Sequence, residues 1–313
     1  MTLPYSKEFL EQLKLNGYSS ETIYNYERDL NTFDSYLERE HQKISFSKIT
    51  KDIIEQFVIY LSSSDRKTAH GEKAKVVLNN RSINRIITSL RRYFSYLVEM
   101  NFPVPVLPES IKLVYVNKLR HSQVSEYEGL TKLIESPNIF EKNKIVALRN
   151  RAMLETLFAS GMRISELINL RRIQLDATGR IFIEGKGKKQ RFIYLTDRAQ
   201  RHIKNYLVER TDDFPYLFVS MRGANAGNKV KHISPNYLQA KIKSYRELLG
   251  INIPTSAHSL RHGFATYLAE QGANPAAIQI LLGHESLETN TRYVHASDKY
   301  AEDTHRKFHP LKD

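Results

Sequence analysis

The sequence predicts a mainly α protein, in which a small all-helical domain precedes a mixed, mostly α domain with a small antiparallel β-hairpin. Three observations predict it. Apolar residues recur at three- and four-residue intervals through the first hundred positions. A cluster of prolines then interrupts that pattern. Further on, two β-rich runs flank a Gly-Lys-Gly-Lys turn, the mark of a hairpin. At 313 residues the chain has the length of two domains, each large enough to bury its own core. The expected division is a helical domain over 1–100, a linker over 101–122, and a second domain over 123–313.

In chain order, Ser19 and Ser20 precede a run in which Ile23, Tyr26, Leu30, Phe33 and Leu37 share one helical face, so one of the two serines is the N-cap. A second helix is expected over Lys51 to Leu61. Asn80 to Met100 is more informative. Ile83, Ile86, Ile87, Leu90, Phe94 and Leu97 form an apolar stripe, while Arg81, Arg85, Thr88 and Arg92 fall on another face at spacings of four, three and four. That pattern fits a helix with a core side and a phosphate side, or a solvated basic surface. No acidic residue sits at i±4 to neutralise the arginines. Pro103, Pro105 and Pro108 allow no helix to continue, which makes 101–122 a semi-rigid linker.

In the second domain helices are expected near Ser125 to Glu135 and Asn143 to Ser160, followed by a hairpin over Arg180 to Leu195 with lysines at its tip. Helices resume over Asp197 to Glu209, Pro235 to Leu249 and Ser259 to Glu270, with Asp212 to His232 as a loop. Short C-terminal helices follow. Val294 to Asp313 reads as a polar helix with few anchors, limited by Pro310.

Composition excludes several chemistries. Without cysteine there is no disulfide, thiolate nucleophile, iron–sulfur cluster or Cys-based zinc site. No apolar run approaches the roughly 20 residues that span a bilayer. The opening MTLPYSKEFLEQL has acidic residues and no signal-type apolar core, so a cytoplasmic protein without membrane contact is expected. The formal charge is +13, which suggests a polyanion as partner. The charge is also local: residues 1–65 carry a net −4, whereas 66–92 hold 8 basic and 1 acidic side chains. No G-x-x-x-x-G-K-[ST] and no strand-anchored G-x-G-x-x-G is present, so a nucleotide-driven motor or a dehydrogenase has no support.

Four features of the second domain carry chemistry: Gly161-Met-Arg163-Ile-Ser-Glu166, the hairpin lysines, His258-Ser-Leu-Arg261-His262, and Leu282-Gly-His284 followed by Tyr293. Each is weak alone. Their order and spacing, in A-S-G-M-R-I-S-E-L-I-N-L, E-G-K-G-K-K-Q-R, H-S-L-R-H-G-F-A-T-Y-L and I-Q-I-L-L-G-H-E-S-L-E-T-N-T-R-Y, resemble the tyrosine recombinase (phage-integrase-like) family and within it the Xer-type recombinases. The helix S-I-N-R-I-I-T-S-L-R-R-Y-F-S-Y-L is similar to that family's core-binding domain.

The resemblance implies DNA strand cleavage and rejoining through a 3′-phosphotyrosine, with no metal, ATP or other cofactor. Tyr293 is then the nucleophile, a phenol whose pKa of about 10 requires it to lose its proton as it attacks. Arg163 and Arg261 offer planar, permanent charges to the non-bridging oxygens. His258, three residues before Arg261 and on the same helical face, is the general base or a phosphate donor, and His284 a further donor. The departing 5′ hydroxyl takes its proton from a hairpin lysine; the family's motif selects Lys186, with Lys188 and Lys189 as competitors and DNA contacts. Glu166 either orients a basic neighbour, as the resemblance implies, or is an ordinary i,i+3 partner of Arg163. His258 and His262 have the i,i+4 spacing of a metal pair, but Arg261 stands between them and no H-E-x-x-H carboxylate follows.

Expected partners are double-stranded DNA carrying a recombination site, a homotetramer on two sites or a heterotetramer with a paralogue, and a DNA translocase; the expected place is the nucleoid. The compact length, with no added arm-binding domain, favours resolution of chromosome or replicon dimers. Alternatives are movement of a mobile element, a type IB topoisomerase, and a DNA-binding protein that does not cut. In proteins the chain resembles, the C-terminal tail docks on a neighbouring protomer; a frayed terminus is the other reading of the same residues.

Overall fold

The computed structural model describes residues 3–41, 44–64, 66, 77–116, 127–184, 190–223, 226–229, 231–283 and 298–311, without the side chains of 298–301. The chain forms two compact units, Met1–His121 and Ser122–Asp313. Among the described residues no helix is long and apolar enough to cross a membrane.

The first unit holds α1 (Ser6–Leu15), α2 (Ser20–Glu40), α3 (Lys51–Ser62) and α4 (Asn80–Glu99). Each of the last three begins at a side-chain cap. Ser19, not Ser20, caps α2 by accepting the Thr22 amide at 3.2 Å, Thr50 accepts from Ile53, and Asn79 accepts from Ser82 at 2.9 Å. The predicted stripe of α4 is buried, and Tyr93 and Tyr96 join it against Phe9, Leu13, Phe33, Leu37, Phe57 and Leu61. At roughly 1.5–3 kcal/mol for each large apolar side chain removed from water, this stripe holds the unit together.

Within the stretch expected as a linker, residues 101–116 pack on the first unit. Val106 and Ile111 enter its core, and the Asn84 amide on α4 donates to the Val114 carbonyl and accepts from its amide, both at 2.7 Å. Asn80 donates to the Tyr115 carbonyl at 2.9 Å. Proline forbids a helix here, but it does not forbid apolar side chains from docking once two asparagines satisfy the exposed backbone. Residues 117–122 lie outside the described set.

The second unit comprises α5 (Tyr127–Glu135), α6 (Pro137–Phe140), α7 (Lys144–Ser160), α8 (Ile164–Asn169), β1 (Arg180–Glu184), β2 (Gln190–Tyr194), α9 (Asp197–Val208), α10 (Pro235–Leu248), α11 (Ala257–Glu270), α12 (Pro275–Leu282) and α13 (Asp298–Phe308). Helix α7 is its axis: every residue from Arg149 to Ser160 is buried. The hairpin pairs Arg180 with Tyr194 and Glu184 with Gln190, so Ile181, Ile183 and Ile193 face the core. The loop expected over Asp212 to His232 contains no helix or strand among its described residues; the buried Arg210 straps it down, donating to the carbonyls of Tyr216 and Leu217. Helix α11 starts two residues earlier than expected because Ser256 and Ser259 form a reciprocal capping box.

The described part of the C-terminal segment corrects the reading of few anchors: it is held to its own unit at several points. His305 and His309 are 1% and 2% exposed and donate to the Ala159 and Phe158 carbonyls at the end of α7, and Leu311 is buried beside them. The Leu311 amide donates to Nδ1 of His309 at 3.0 Å, which fixes a neutral ring protonated at Nε2. Apolar periodicity does not reveal these anchors, because histidine counts as polar until its ring protons meet the open carbonyls of a helix end.

Candidate active site

The site is built around the end of α7. Gly161 terminates that helix with φ +61°, and a Cβ there would stand 2.4 Å from the Phe264 ring. Only glycine permits both the turn and the approach of α11. One helical turn before Phe264 on α11 lies Arg261. It is 5% exposed and forks across two carbonyls, donating from Nη1 to Gly161 at 2.7 Å and from Nη2 to Leu282 at 2.6 Å. Burial and then the neighbouring charges of Arg163 and Arg191 pull its pKa down to about 10, with Glu166 opposing. The guanidinium remains charged at neutral pH but is short of anions, the environment of a site awaiting one.

Arg163 begins α8. Its amide donates to Glu166 Oε2 at 2.7 Å, its Nη1 to Oε1 at 3.0 Å, and its Nη2 to the Gly283 carbonyl at 3.2 Å. Its side chain keeps a third of its surface open. Glu166 thus contacts Arg163 as an i,i+3 partner, the one contact on which both sequence readings rest. The same carboxylate receives a second guanidinium. Arg191 on β2 donates from Nη1 to Oε1 at 3.0 Å and from Nη2 to Oε2 at 2.8 Å, while its Nε binds the Leu281 carbonyl at 3.1 Å. Burial alone would raise the Glu166 pKa, but the Arg191 and Arg163 hydrogen bonds outweigh it and hold the carboxyl below its usual range.

Arg191 is the residue that sequence reasoning missed. A signal was available, since it ends the E-G-K-G-K-K-Q-R run and is the charged residue opposite Ile183 in a hairpin whose Ile183 faces the core. An arginine at such a register needs a buried carboxylate.

His258 lies one turn before Arg261 on α11 and is exposed. His262 is exposed as well, and its Nδ1 lies 3.2 Å from the Thr266 hydroxyl. The structure thus brings Arg163, Glu166 and Arg261 together, adds Arg191, and sets His258 on the open end of the helix that carries Arg261. Lys186, Lys188, Lys189, His284 and Tyr293 lie outside the described residues.

On the first unit the expected phosphate face is only partly open. Arg81, Arg85 and Thr88 are exposed and Arg92 is half-buried. Arg85 pairs with Asp29 of α2, a carboxylate 2% exposed that also accepts from Ser89 at 2.8 Å. Arg92 donates to Glu99 at 2.6 Å, and Thr88 bonds back to the Asn84 carbonyl. The arginines have no acidic neighbour at i±4, as their spacing indicated, yet two find one from another helix or two turns away. Among the described residues Arg81 has no such partner.

Comparison with known proteins fits this arrangement. Residues 124–300 match the model of the phage integrase family, and residues 7–101 match that of the phage integrase N-terminal SAM-like domain. The chain is 30% identical to the tyrosine recombinase XerC of Thermodesulfovibrio yellowstonii, over 98% of this chain and 96% of that protein. It is 32% identical to the tyrosine recombinase XerD of Staphylococcus saprophyticus, over 97% and 98%. In fold it is similar to the XerH site-specific recombinase in a post-cleavage complex with a palindromic difH substrate, with a TM-score of 0.67 at 24% identity over 95% of this chain and 83% of that one. A lambda integrase (75–356) dimer on a COC′ core site is similar at a TM-score of 0.66 and 16% identity, over 94% and 100%.

Proposed function

The chain belongs to the phage integrase family and is a tyrosine site-specific DNA recombinase, and from that premise we propose that it serves as an Xer-type enzyme resolving dimers of chromosomes or replicons. Near-full-length similarity to XerC and XerD, covering almost all of both chains, supports this role over movement of a mobile element. The observation that carries the chemistry is the convergence of Arg163 and Arg261 on the α7–α8 junction. Arg261 is held by two neutral carbonyls and Arg163 by one carbonyl and Glu166, with no anion of the protein between the two guanidiniums among the described residues.

A scissile phosphate bound there places two non-bridging oxygens against two guanidinium forks. The Tyr293 oxygen forms a bond to phosphorus as the bond to the 5′ oxygen breaks. The tyrosine's proton passes to His258, and the departing 5′ oxygen takes one from Lys186. His284 donates to the phosphate. The phosphotyrosine conserves the bond energy, so a 5′ hydroxyl from a second duplex can reverse the step and exchange strands. Exchange requires two sites, which supports a tetramer on double-stranded DNA, with the α4 face of the first unit contributing phosphate contacts. A translocase that controls the assembly belongs to this same reading.

The test uses DNA recovered by selection for binding and nicked beside the cleavage position. Wild-type protein is expected to form a covalent adduct that denaturant leaves intact, and Tyr293→Phe to bind equally and form none. An adduct with Tyr293→Phe would overturn the nucleophile. Relaxation of supercoiled plasmid lacking the selected sequence, at a rate equal to plasmid that has it, would overturn site specificity in favour of a topoisomerase. Two direct copies on one plasmid should be resolved to single-copy circles.

A further inference from the structure

We infer that Arg191 is a positioning residue for strand cleavage, which occupies Glu166 so that Arg163 keeps its charge available to the scissile phosphate. The inference deepens the recombinase reading and rests on it.

The argument begins with where the Arg191 donors go. Its side chain is 9% exposed, its Nε is bound to the Leu281 carbonyl, and its two terminal nitrogens are bound to the two oxygens of Glu166. Its stem lies so close to Gly283 that a Cβ there would be 2.9 Å from its Cδ, and Gly283 has φ +63°. All of these donors point inward, so Arg191 acts through other groups. Through one guanidinium it joins β2, the start of α8 and the end of α12.

The second step concerns charge. Glu166 and Arg163 alone would form a neutral pair, and a guanidinium beside a free carboxylate rotates to meet it with both prongs. Arg191 takes one lone pair of each oxygen. Arg163 is left with a single side-chain bond to Oε1 and a weak one to Gly283 at 3.2 Å. The triad keeps a net positive charge, and Arg163 is the member of it that solvent reaches. Without Arg191, the buried Glu166 would have two unsatisfied sites and would compete with phosphate for Arg163.

Single-turnover cleavage of the nicked substrate at saturating protein reads this directly. Arg191→Gln is expected to cleave about 100-fold more slowly, with DNA affinity within about threefold of wild type. Glu166→Gln added to Arg191→Gln should recover about tenfold, because a neutral amide no longer draws Arg163 away. A clamp that is only structural predicts the opposite, since the second substitution would remove a further bond. Unchanged cleavage in Arg191→Gln, or a double variant slower than Arg191→Gln, overturns the inference. Should Arg191→Gln fail to fold by circular dichroism, Arg191→Lys decides it: one ammonium cannot hold both oxygens, so cleavage should fall about tenfold, and wild-type cleavage overturns the clamp. If wild-type protein itself forms no adduct, the recombinase reading fails, and the failure is not one of Arg191.

Discussion

The arginines of the two units are partnered differently, and the difference separates a partly neutralised surface from a pocket that keeps its charge. On α4 of the first unit, Arg85 and Arg92 are each paired with a carboxylate, Asp29 and Glu99, and Asp29 also lies 3.9 Å from Arg28. In the second unit the guanidiniums of Arg163 and Arg191 share Glu166 as their carboxylate, Arg261 has none among the described residues, and all three rest on the carbonyls of Gly161, Leu281, Leu282 and Gly283. A carbonyl fixes a guanidinium in place without cancelling its charge. The first unit's face is therefore neutralised in part, with Arg81 left over, and the second unit's pocket stays positive and rigid, the arrangement that would stabilise a developing phosphorane charge.

The strongest way to break this contrast is to remove a pocket arginine. Arg261→Ala should reduce adduct formation by about 10³-fold or more while leaving DNA affinity within a fewfold, because its role is in the transition state. A parallel loss of affinity and cleavage would make Arg261 an ordinary binding residue like those of α4.

Acid should separate the units next. Burial pulls His305 down to about 4, against the Ala159 carbonyl bond that favours its charged form, and His202 is likewise brought to about 4 by burial and by Arg151, Arg198 and Arg201. At His202, Glu135 opposes the shift and Glu155 lies 3.7 Å away, but burial and the three arginines outweigh the carboxylates. For a histidine depressed on folding, the unfolded chain binds more protons than the folded one between the two pKa values. Stability from these residues is thus complete above about pH 6.5 and is lost as pH falls through about 4, with an effect on the order of a few kcal/mol. Urea melts at pH 7 and pH 4.5 should show the second unit weakening more than the first. Equal weakening would remove the two histidines as the cause.

The smallest effects sharpen the α4 face. Arg85→Ala should lower the stability of the first unit by about 1–2 kcal/mol, since it leaves the buried Asp29 with Ser89 as its remaining side-chain donor. Arg81→Ala should leave the melting curve unchanged and flatten the slope of log K against log salt by about one, the signature of one lost phosphate contact. If Arg85→Ala changes only the slope, its charge belongs to the DNA and not to Asp29.

Much of this was legible without coordinates. The stripe of α4 buries as its period indicates, the hairpin forms where two β-rich runs flank glycines, and Ser19, one of the two serines offered, caps α2. These are local matters, decided by side-chain period and by the hydrogen-bonding reach of residues three apart. The site was half legible: Arg163, Glu166 and Arg261 were recognisable by order and motif. That Glu166 serves two arginines was not, because Arg191 is 25 residues away. The docking of 101–116 and of the C-terminal histidines was hidden for the same reason. Prolines and histidines signal only what the chain cannot do locally.

By itself, then, the sequence determined the family, the helical class, the boundaries of the longer helices and the hairpin to within a few residues, and the residue types able to hold and attack a phosphodiester. The tertiary structure decided which arginines are neutralised and which stay charged, where the segment after α4 belongs, and that the tail lies on its own unit. The division follows from physics: secondary structure depends on neighbours within a turn or a strand pair, whereas the free charge of an arginine depends on whichever carboxylate or carbonyl folding brings within about 3 Å of it.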